Sequence, residues 1–288
     1  MHVAAARCDA RAMSERYAAF TFVDRITALE PGRAAQGRFH VPANVDAFPA
    51  SLLAEATGQL AAWVAVAKLD FRLRPVAGIA HETLYHGTPK PGDTLETEIR
   101  IDSCEDDAVA YQGWARIGGR TVLELRDCVG PMLPLDEFDD AASMRAFYAT
   151  LCGEGARVDR FDALPTLPLL ARARVQGSAT AVLQVPHEAA LFADHFPRRP
   201  VFPGTLLLDR MTALAGDVAI ESARGRHAAL RAVSDVKLRA FIEPGTELEL
   251  HATIEETAPP HVTAKLEARA HGQRRPVGSA RVRFEVSS

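Results

Sequence analysis

The fold is decided by two similar stretches of the chain, FPASLLAEATGQLAAW (48–63) and FPGTLLLDRMTALAGD (202–217). Each stretch opens with Phe-Pro, continues with a small residue and then runs on with the apolar spacing of a helix. Each also carries one acid six residues after its proline: Glu55 after Pro49, and Asp209 after Pro203. The two stretches therefore predict two equivalent helices with an acid at the same place.

Further landmarks repeat in step with these helices. KPGDTLE (90–96) matches EPGTELE (243–249), and ARIGGR (115–120) matches ARAHGQ (268–273). Equivalent prolines and glycines lie 153 or 154 residues apart: Pro49 and Pro203, Pro91 and Pro244, Gly119 and Gly272. A constant offset over several landmarks indicates a tandem duplication. We take the repeated units as about 20–133 and 171–288.

Each unit reads as a strand, a loop, one long helix and then three or more strands. The strands are indicated by β-branched content and alternation, and by Pro-Gly or Gly-Gly turns between them. One helix against a run of antiparallel strands is an α+β unit. The predicted domains are residues 1–133, residues 171–288 and, between them, a linker with one helix, residues 134–170.

Composition limits the function classes. The 288 residues carry a net charge of −4, which argues against a nucleic-acid partner. The N-terminus has Arg7, Asp9 and Arg11 where a signal peptide needs an unbroken apolar core. The apolar stretches fall short of the ~20 residues that span a bilayer. These observations favour a cytoplasmic protein without a membrane span.

The cysteines predict neither disulfides nor a metal site. No CxxC pair occurs, and no His/Cys cluster has the spacing of a zinc site. Reduced thiols in a reducing compartment are the simplest interpretation. The four are Cys8, Cys104, Cys128 and Cys152. No metal or cofactor is expected.

The second unit contains the longest motif, DHFPRRPVFPG (194–204), followed by TLLLD. It resembles the active-site segment of the β-hydroxyacyl-acyl-carrier-protein dehydratases. That pattern is His-Phe-Pro, a short loop, Pro-x-Met-Pro-Gly, and a helix with Glu or Asp fourteen residues after the histidine. Asp209 stands fourteen residues after His195, and Phe202 replaces the methionine. The resemblance covers 171–288 well, but the first unit only from Pro49 onward.

The resemblance implies a hotdog fold, in which an antiparallel sheet wraps around one long helix. Hotdog units of this family work in pairs, so the chain is expected to form a double hotdog: two antiparallel sheets, each around one long helix, packed as a pseudo-dimer. In the family, the histidine of one unit works with the acid of the other. His195 is therefore expected to face Glu55, and Asp209 to face the first unit.

The first unit departs from the family pattern. Alignment of the Val-Pro pairs places His40 opposite Gln184, a strand residue, so His40 does not replace His195. The segment that would carry His-Phe-Pro is missing, and Ala50 stands in place of Gly204. We therefore expect one active site, with Asp209 as a secondary candidate.

The residue types suit dehydration of a 3-hydroxyacyl thioester. His195 can act as the general base at C2, and a protonated Glu55 can supply the proton for the leaving hydroxyl. The backbone N–H of Gly204, at a helix N-terminus, can stabilise charge on the thioester oxygen. The alternative interpretation of Glu55 is a solvated acid on the helix surface, because such an acid would stand at the same position in the sequence. Expected substrate contacts are Phe196, Phe202, Pro203, Arg198 and Arg199.

The arginines are candidates for the phosphopantetheine phosphate of an acyl carrier protein or coenzyme A. Two solvated loop arginines are the alternative. The predicted reaction yields trans-2-enoyl thioesters in fatty acid or polyketide-type biosynthesis. The alternatives are a hotdog acyl thioesterase and a non-catalytic acyl-thioester-binding subunit of an assembly line. A homodimer of double hotdogs stays open.

Overall fold

Two long helices lie at the centre of the molecule, one in each unit, and they pack against each other. They are α1 (Ser51–Lys68) and α3 (Gly204–Ser222), and a shorter helix, α2 (Ala141–Cys152), lies between them in the chain. The computed structural model describes residues 17–45, 48–76, 78–158 and 165–287. Cys8 and the stretch 1–16 lie outside the described residues.

Both central helices form on the repeated stretches, as their apolar spacing predicts. In α1, the fully buried side chains recur every three or four residues and face the sheet: Leu52, Leu53, Ala56, Leu60 and Val64. Glu55 lies beside this stripe and is half-buried.

Thirteen antiparallel strands of the described residues surround the helices. Those of the first unit are β1 (Arg25–Glu30), β2 (Ala34–His40), β3 (Leu73–Pro75), β4 (Ile79–Tyr85), β5 (Thr94–Cys104), β6 (Ala108–Ile117) and β7 (Arg120–Pro134). Those that follow are β8 (Leu169–Val175), β9 (Ser178–Gln184), β10 (His227–Leu238), β11 (Glu247–Ala258), β12 (His261–Ala270) and β13 (Gly278–Ser287).

The strands form one continuous sheet, which corrects the expectation of two separate sheets. The order is β1-β2-β5-β6-β7-β4-β10-β13-β12-β11-β9-β8, with β3 paired to β7. The join is an antiparallel ladder between β4 and β10, in which Thr83 lies opposite Val233. Without this ladder each unit would expose the hydrogen-bonding groups of an edge strand. Pairing the two edges satisfies those groups and fixes one unit against the other.

The duplication is visible in where the elements begin. α1 and α3, β5 and β11, and β6 and β12 each begin 153 residues apart. The predicted Pro-Gly turns are also present, with Gly92 at φ 86° and Gly245 at φ 79°. Such positive φ values favour glycine because it has no Cβ.

The units differ in the connection that leads into the central helix. Residues 41–50 connect β2 to α1, whereas residues 185–203 connect β9 to α3. The longer connection carries the His-Phe-Pro motif. The stretch 134–170 contains α2, and its end already belongs to β8, which begins at Leu169. Among the described residues, no helix is long and apolar enough to cross a membrane.

Candidate active site

A cavity of about 590 Å³ lies between the central helices and is lined by both units. His195 enters it from the connection before α3, and Glu55 enters it from α1. Gly204 and Thr205, at the start of α3, line the same cavity. The structure thus brings together the three residues predicted for catalysis, from different units.

His195 is held in one orientation by its own loop. Its Nδ1 lies 2.8 Å from the carbonyl oxygen of Val201, which can only accept a hydrogen bond. Nδ1 therefore carries the proton and Nε2 is left with a free lone pair. Burial lowers the pKa of His195, an effect that the negative charge of Glu55 partly opposes. At neutral pH the imidazole is neutral, the state that a general base requires.

Aromatic rings enclose the imidazole. Phe196 stacks on it with ring centroids 4.1 Å apart, and Phe20 of the first unit lies edge-on at 5.4 Å. These rings remove water from the base, which is the cause of its lowered pKa.

Glu55 accepts hydrogen bonds at both carboxylate oxygens. Nε2 of Gln59 donates to Oε1 over 2.8 Å, and the hydroxyl of Thr205 donates to Oε2 over 2.6 Å. The bond from Thr205 crosses from the second unit to the first. Glu55 is therefore oriented toward α3, which argues against the solvated surface acid considered above.

The sequence analysis did not single out Thr205 or Gln59. Their positions could have indicated a role, because Gln59 stands one helical turn after Glu55 and Thr205 directly follows Gly204. Which carboxylate oxygen each would contact depends on how α1 and α3 cross. The packing of the two units decides that, and the sequence does not encode it locally.

Gly204 begins α3, and its N–H has no acceptor within the helix because it lies in the first turn. Pro203 precedes the helix in an extended conformation, and its carbonyl accepts the N–H groups of Leu206 and Leu207. A Cβ on Gly204 would overlap Cδ1 of Leu238. An alanine here therefore needs the end of the Leu238 side chain to move, so close packing favours glycine independently of any catalytic use of the N–H.

Asp209 also lines the cavity, away from His195 along α3. Its carboxylate forms an ion pair with the neighbouring Arg210. It lies near Tyr85 of the first unit. Burial raises the pKa of Tyr85, and the charge of Asp209 raises it further. No histidine of the described first unit lines the cavity beside it.

The predicted substrate contacts divide into two groups. Phe196 and Phe202 are buried and line the cavity, whereas Pro203 is buried without lining it. Arg198 and Arg199 are exposed and line a smaller surface depression beside the motif.

Both arginines contact the segment that follows β7. Arg198 donates to the carbonyl of Asp136 over 2.9 Å, and Arg199 lies 3.4 Å from Glu137. Both guanidinium groups are thus at the surface and are partly engaged by neighbouring acids.

His40 ends β2 and does not line the cavity. Its Nδ1 lies 3.0 Å from Oδ2 of Asp24, and its backbone N–H donates to the same oxygen. The interpretation of His40 as a strand residue is confirmed.

One cation in the cavity was not anticipated. The guanidinium of Arg74, on β3, lies 3.9 Å above the ring of Phe196 and lines the cavity with His195. Burial lowers the pKa of Arg74 to about 10, while the charge of Asp139 raises it. Arg74 therefore keeps its charge at neutral pH and places a positive group near the base. β3 has no counterpart in the second unit, so the repeat gave no signal for it.

The arrangement suits proton abstraction next to a carbonyl group. It combines a neutral imidazole with a free Nε2, a carboxyl group from the opposite unit and the N-terminus of a helix, all at one cavity.

Comparison with known families agrees with the motif. The model of the ApeI-like family, described as ApeI dehydratase, matches residues 172–274. The chain is 34% identical over 82 residues to the 3-hydroxyacyl-acyl-carrier-protein dehydratase FabZ of Rickettsia bellii. The aligned part is 27% of this chain and 57% of that protein, so the chain spans little more than half of the relative's length.

Solved structures with a similar fold are thioesterases. A protein described as an oleoyl thioesterase from Lactobacillus plantarum superposes with a TM-score of 0.60 and 12% identity, over 90% of this chain and 100% of its own. An acyl-ACP thioesterase from Bacteroides thetaiotaomicron gives 0.54 and 13%, over 88% and 98%. At this identity the likeness concerns the fold alone.

The large antiparallel sheet with few helices and the hotdog-fold neighbours fit a double hotdog, as the sequence predicts. By its motif, its family model and its curated relatives, the second unit is similar to the hotdog-fold thioester dehydratases.

Proposed function

We propose that the protein dehydrates 3-hydroxyacyl thioesters to trans-2-enoyl thioesters at one active site built from both units. The observation that carries the proposal is the meeting of His195 and Glu55, from different units, at one cavity. Each has the partner its role needs: Val201 leaves Nε2 of His195 unprotonated, and Thr205 turns Glu55 toward the second unit.

Nε2 of His195 takes the proton from C2 of the substrate. The C2–H electron pair forms the C2=C3 double bond while the C3–O bond breaks. Glu55 gives its proton to the departing hydroxyl, which leaves as water. The hydroxyl of Thr205 can accept a hydrogen bond from the protonated acid, because a hydroxyl group both donates and accepts. The proton on His195 then returns to Glu55 through solvent.

The N–H of Gly204 is assigned to the thioester oxygen. Negative charge develops on this oxygen as the C2 proton leaves, and a helix N-terminus is a favourable place for it. Arg74 adds positive charge at the same cavity, which also disfavours protonation of His195.

The two units, 1–133 and 171–288, then take the place of the two subunits of a paired hotdog enzyme. The short connection 41–50 leaves the first unit without a histidine at the place equivalent to His195, so Asp209 has no catalytic partner and stays paired with Arg210. We assign Asp209 no step in the reaction.

The substrate carrier is proposed to be acyl carrier protein or coenzyme A, in fatty acid or polyketide-type biosynthesis. Arg198 and Arg199 would bind the phosphate of the pantetheine arm at the surface depression, while Phe196 and Phe202 contact the thioester end.

Product analysis distinguishes this proposal from thioester hydrolysis. The protein is incubated with 3-hydroxybutyryl-coenzyme A, and enoyl absorbance and free thiol are followed together. Formation of crotonyl-coenzyme A without free thiol supports dehydration, and crotonyl-coenzyme A supplied alone should be hydrated in reverse. Release of thiol without enoyl product would favour a thioesterase. Binding without either product would favour a non-catalytic subunit.

A further inference from the structure

Asp194 directly precedes His195 and is a buried carboxylate that the proposed reaction does not use; it is 9% exposed. Its Oδ2 accepts a hydrogen bond from the backbone N–H of Phe20 over 2.7 Å and lies 3.4 Å from the hydroxyl of Thr21. Phe20 and Thr21 belong to the first unit. The histidine loop of the second unit is therefore tied to the first unit next to the base.

The same stretch of the first unit is tied to α1 by Gln59. Oε1 of Gln59 accepts the N–H of Phe22 over 2.8 Å, and its Nε2 donates to the carbonyl of Phe20 over 3.0 Å. That Nε2 also donates to Oε1 of Glu55 over 2.8 Å. Residues 20–22, which we call the clamp segment, thus contact both sides of the candidate site.

The clamp segment also touches the imidazole. The ring of Phe20 meets the ring of His195 edge-on, with planes at 78°. Phe20 therefore holds the histidine loop through its backbone N–H and contacts the imidazole through its ring. Hydrogen bonds to a buried carboxylate are stronger than those between neutral groups, so Asp194 anchors the segment better than a neutral residue would.

We propose that Asp194 is a positioning residue, which fixes His195 relative to Glu55 through the clamp segment. The inference rests on the proposed function, because it assigns Asp194 a role in that reaction without contact with the substrate. Misplacement of a reacting group by about 1 Å can cost roughly a hundredfold in rate. His195 and Glu55 lie on different units, so a hydrogen bond that links the two units fixes their relative position.

The test compares Asp194→Ala, Asp194→Asn and a matched control, Asp24→Ala. Asp24 is also a buried aspartate, 2% exposed, whose Oδ2 accepts a backbone N–H over 2.7 Å, but it binds His40 and does not line the cavity. The amide oxygen of Asn can still accept the N–H of Phe20.

We expect Asp194→Ala to lower kcat about a hundredfold with KM little changed. Asp194→Asn should stay within about fivefold of the wild type, and Asp24→Ala should keep its kcat while losing thermal stability comparably to Asp194→Ala. Equal kcat in the two alanine variants would overturn the proposal, because buried aspartates would then matter only for stability.

A second readout does not depend on turnover. In ¹⁵N-histidine-labelled protein, the ring signals of His195 are assigned with His195→Ala, and the wild type should show the tautomer protonated at Nδ1. Asp194→Ala should shift these signals toward a tautomer mixture, whereas Asp24→Ala should leave them in place. If the wild type proves inactive but the shift occurs, the clamp stands and the dehydratase proposal fails; unchanged signals in Asp194→Ala would refute the clamp.

Discussion

At the scale of single residues, the state of His195 decides what the site can do. Its Nδ1–H is held by the carbonyl of Val201, and burial keeps the ring neutral. A histidine in this condition has Nε2 ready to take a proton, and its tautomer is fixed by the backbone of the loop that Asp194 ties to the first unit. The base is therefore preorganised by a backbone group within its own loop.

The lowered pKa of His195 predicts how activity changes with pH. Free histidine titrates near pH 6.5, and the buried ring binds its proton only at lower pH. We therefore expect kcat/KM to be flat through neutral pH and to fall only below about pH 6.5. Folding stability should fall in the same direction, since the unfolded chain takes up the proton first as pH decreases. Rates from pH 5 to 8 check this; an acid limb centred above pH 7 would contradict a buried neutral base.

Thr205 gives a second test at this scale. Thr205→Val keeps the shape of the side chain but removes the hydroxyl that reaches Oε2 of Glu55. Without this hydroxyl, Glu55 is no longer held toward α3 beside the reacting centre, so kcat should fall about tenfold. Thr205→Ser, which keeps the hydroxyl, serves as the control. Equal kcat in the Val and Ser variants would show that the contact has no part in the reaction.

At the scale of elements, the start of α3 combines packing with chemistry. Gly204 lies so close to Leu238 of β10 that a side chain here would need Leu238 to move. This contact holds the helix N-terminus against the sheet at the cavity. In the proposed reaction the N–H of the same glycine binds the thioester oxygen, so a single residue would serve two purposes.

Substitution at Gly204 separates these purposes. Gly204→Ala retains the N–H but overpacks the contact with Leu238, which should cost about 1–3 kcal/mol in the free energy of unfolding. Adding Leu238→Ala makes room for the new methyl group and should recover part of the loss relative to the single alanine variant. Urea denaturation measures both; a Gly204→Ala protein as stable as the wild type would contradict the packing described here.

The elements also show what the sequence could predict. α1, α3 and the Pro-Gly turns follow from local patterns, because apolar spacing and turn residues act over a few positions. The pairing of β4 with β10 was not anticipated. Edge pairing depends on contacts between residues some 150 positions apart, which no local pattern records.

The residues of the candidate site divide in the same way, into those that a local pattern predicts and those that depend on how the units pack. His195 and Glu55 were predicted through the motif and the repeat, and the structure places both at one cavity. Arg74, Gln59 and Thr205 carry no motif, and their contacts arise only when the two units are packed together. Asp194 was part of the quoted motif, but its tie to Phe20 crosses between the units as well.

At the scale of the whole molecule, duplication and loss explain why one site is expected. The units share their helices and most of their strands, and the continuous sheet fixes them against each other. In the described part of the chain, only the second unit has a long connection before its central helix, 185–203, and this connection places His195 at the cavity. The first unit contributes the acid. Neither unit alone contains both reacting groups.

Hydration and dehydration turnover in four variants tests this cross-unit site most directly. His195→Ala and Glu55→Gln, one in each unit, should each lower kcat by at least about a hundredfold. Asp209→Asn and His40→Ala, the acid and the histidine outside the proposed site, should stay near the wild type. Comparable losses in Asp209→Asn, or full activity in Glu55→Gln, would contradict a single site shared by the two units.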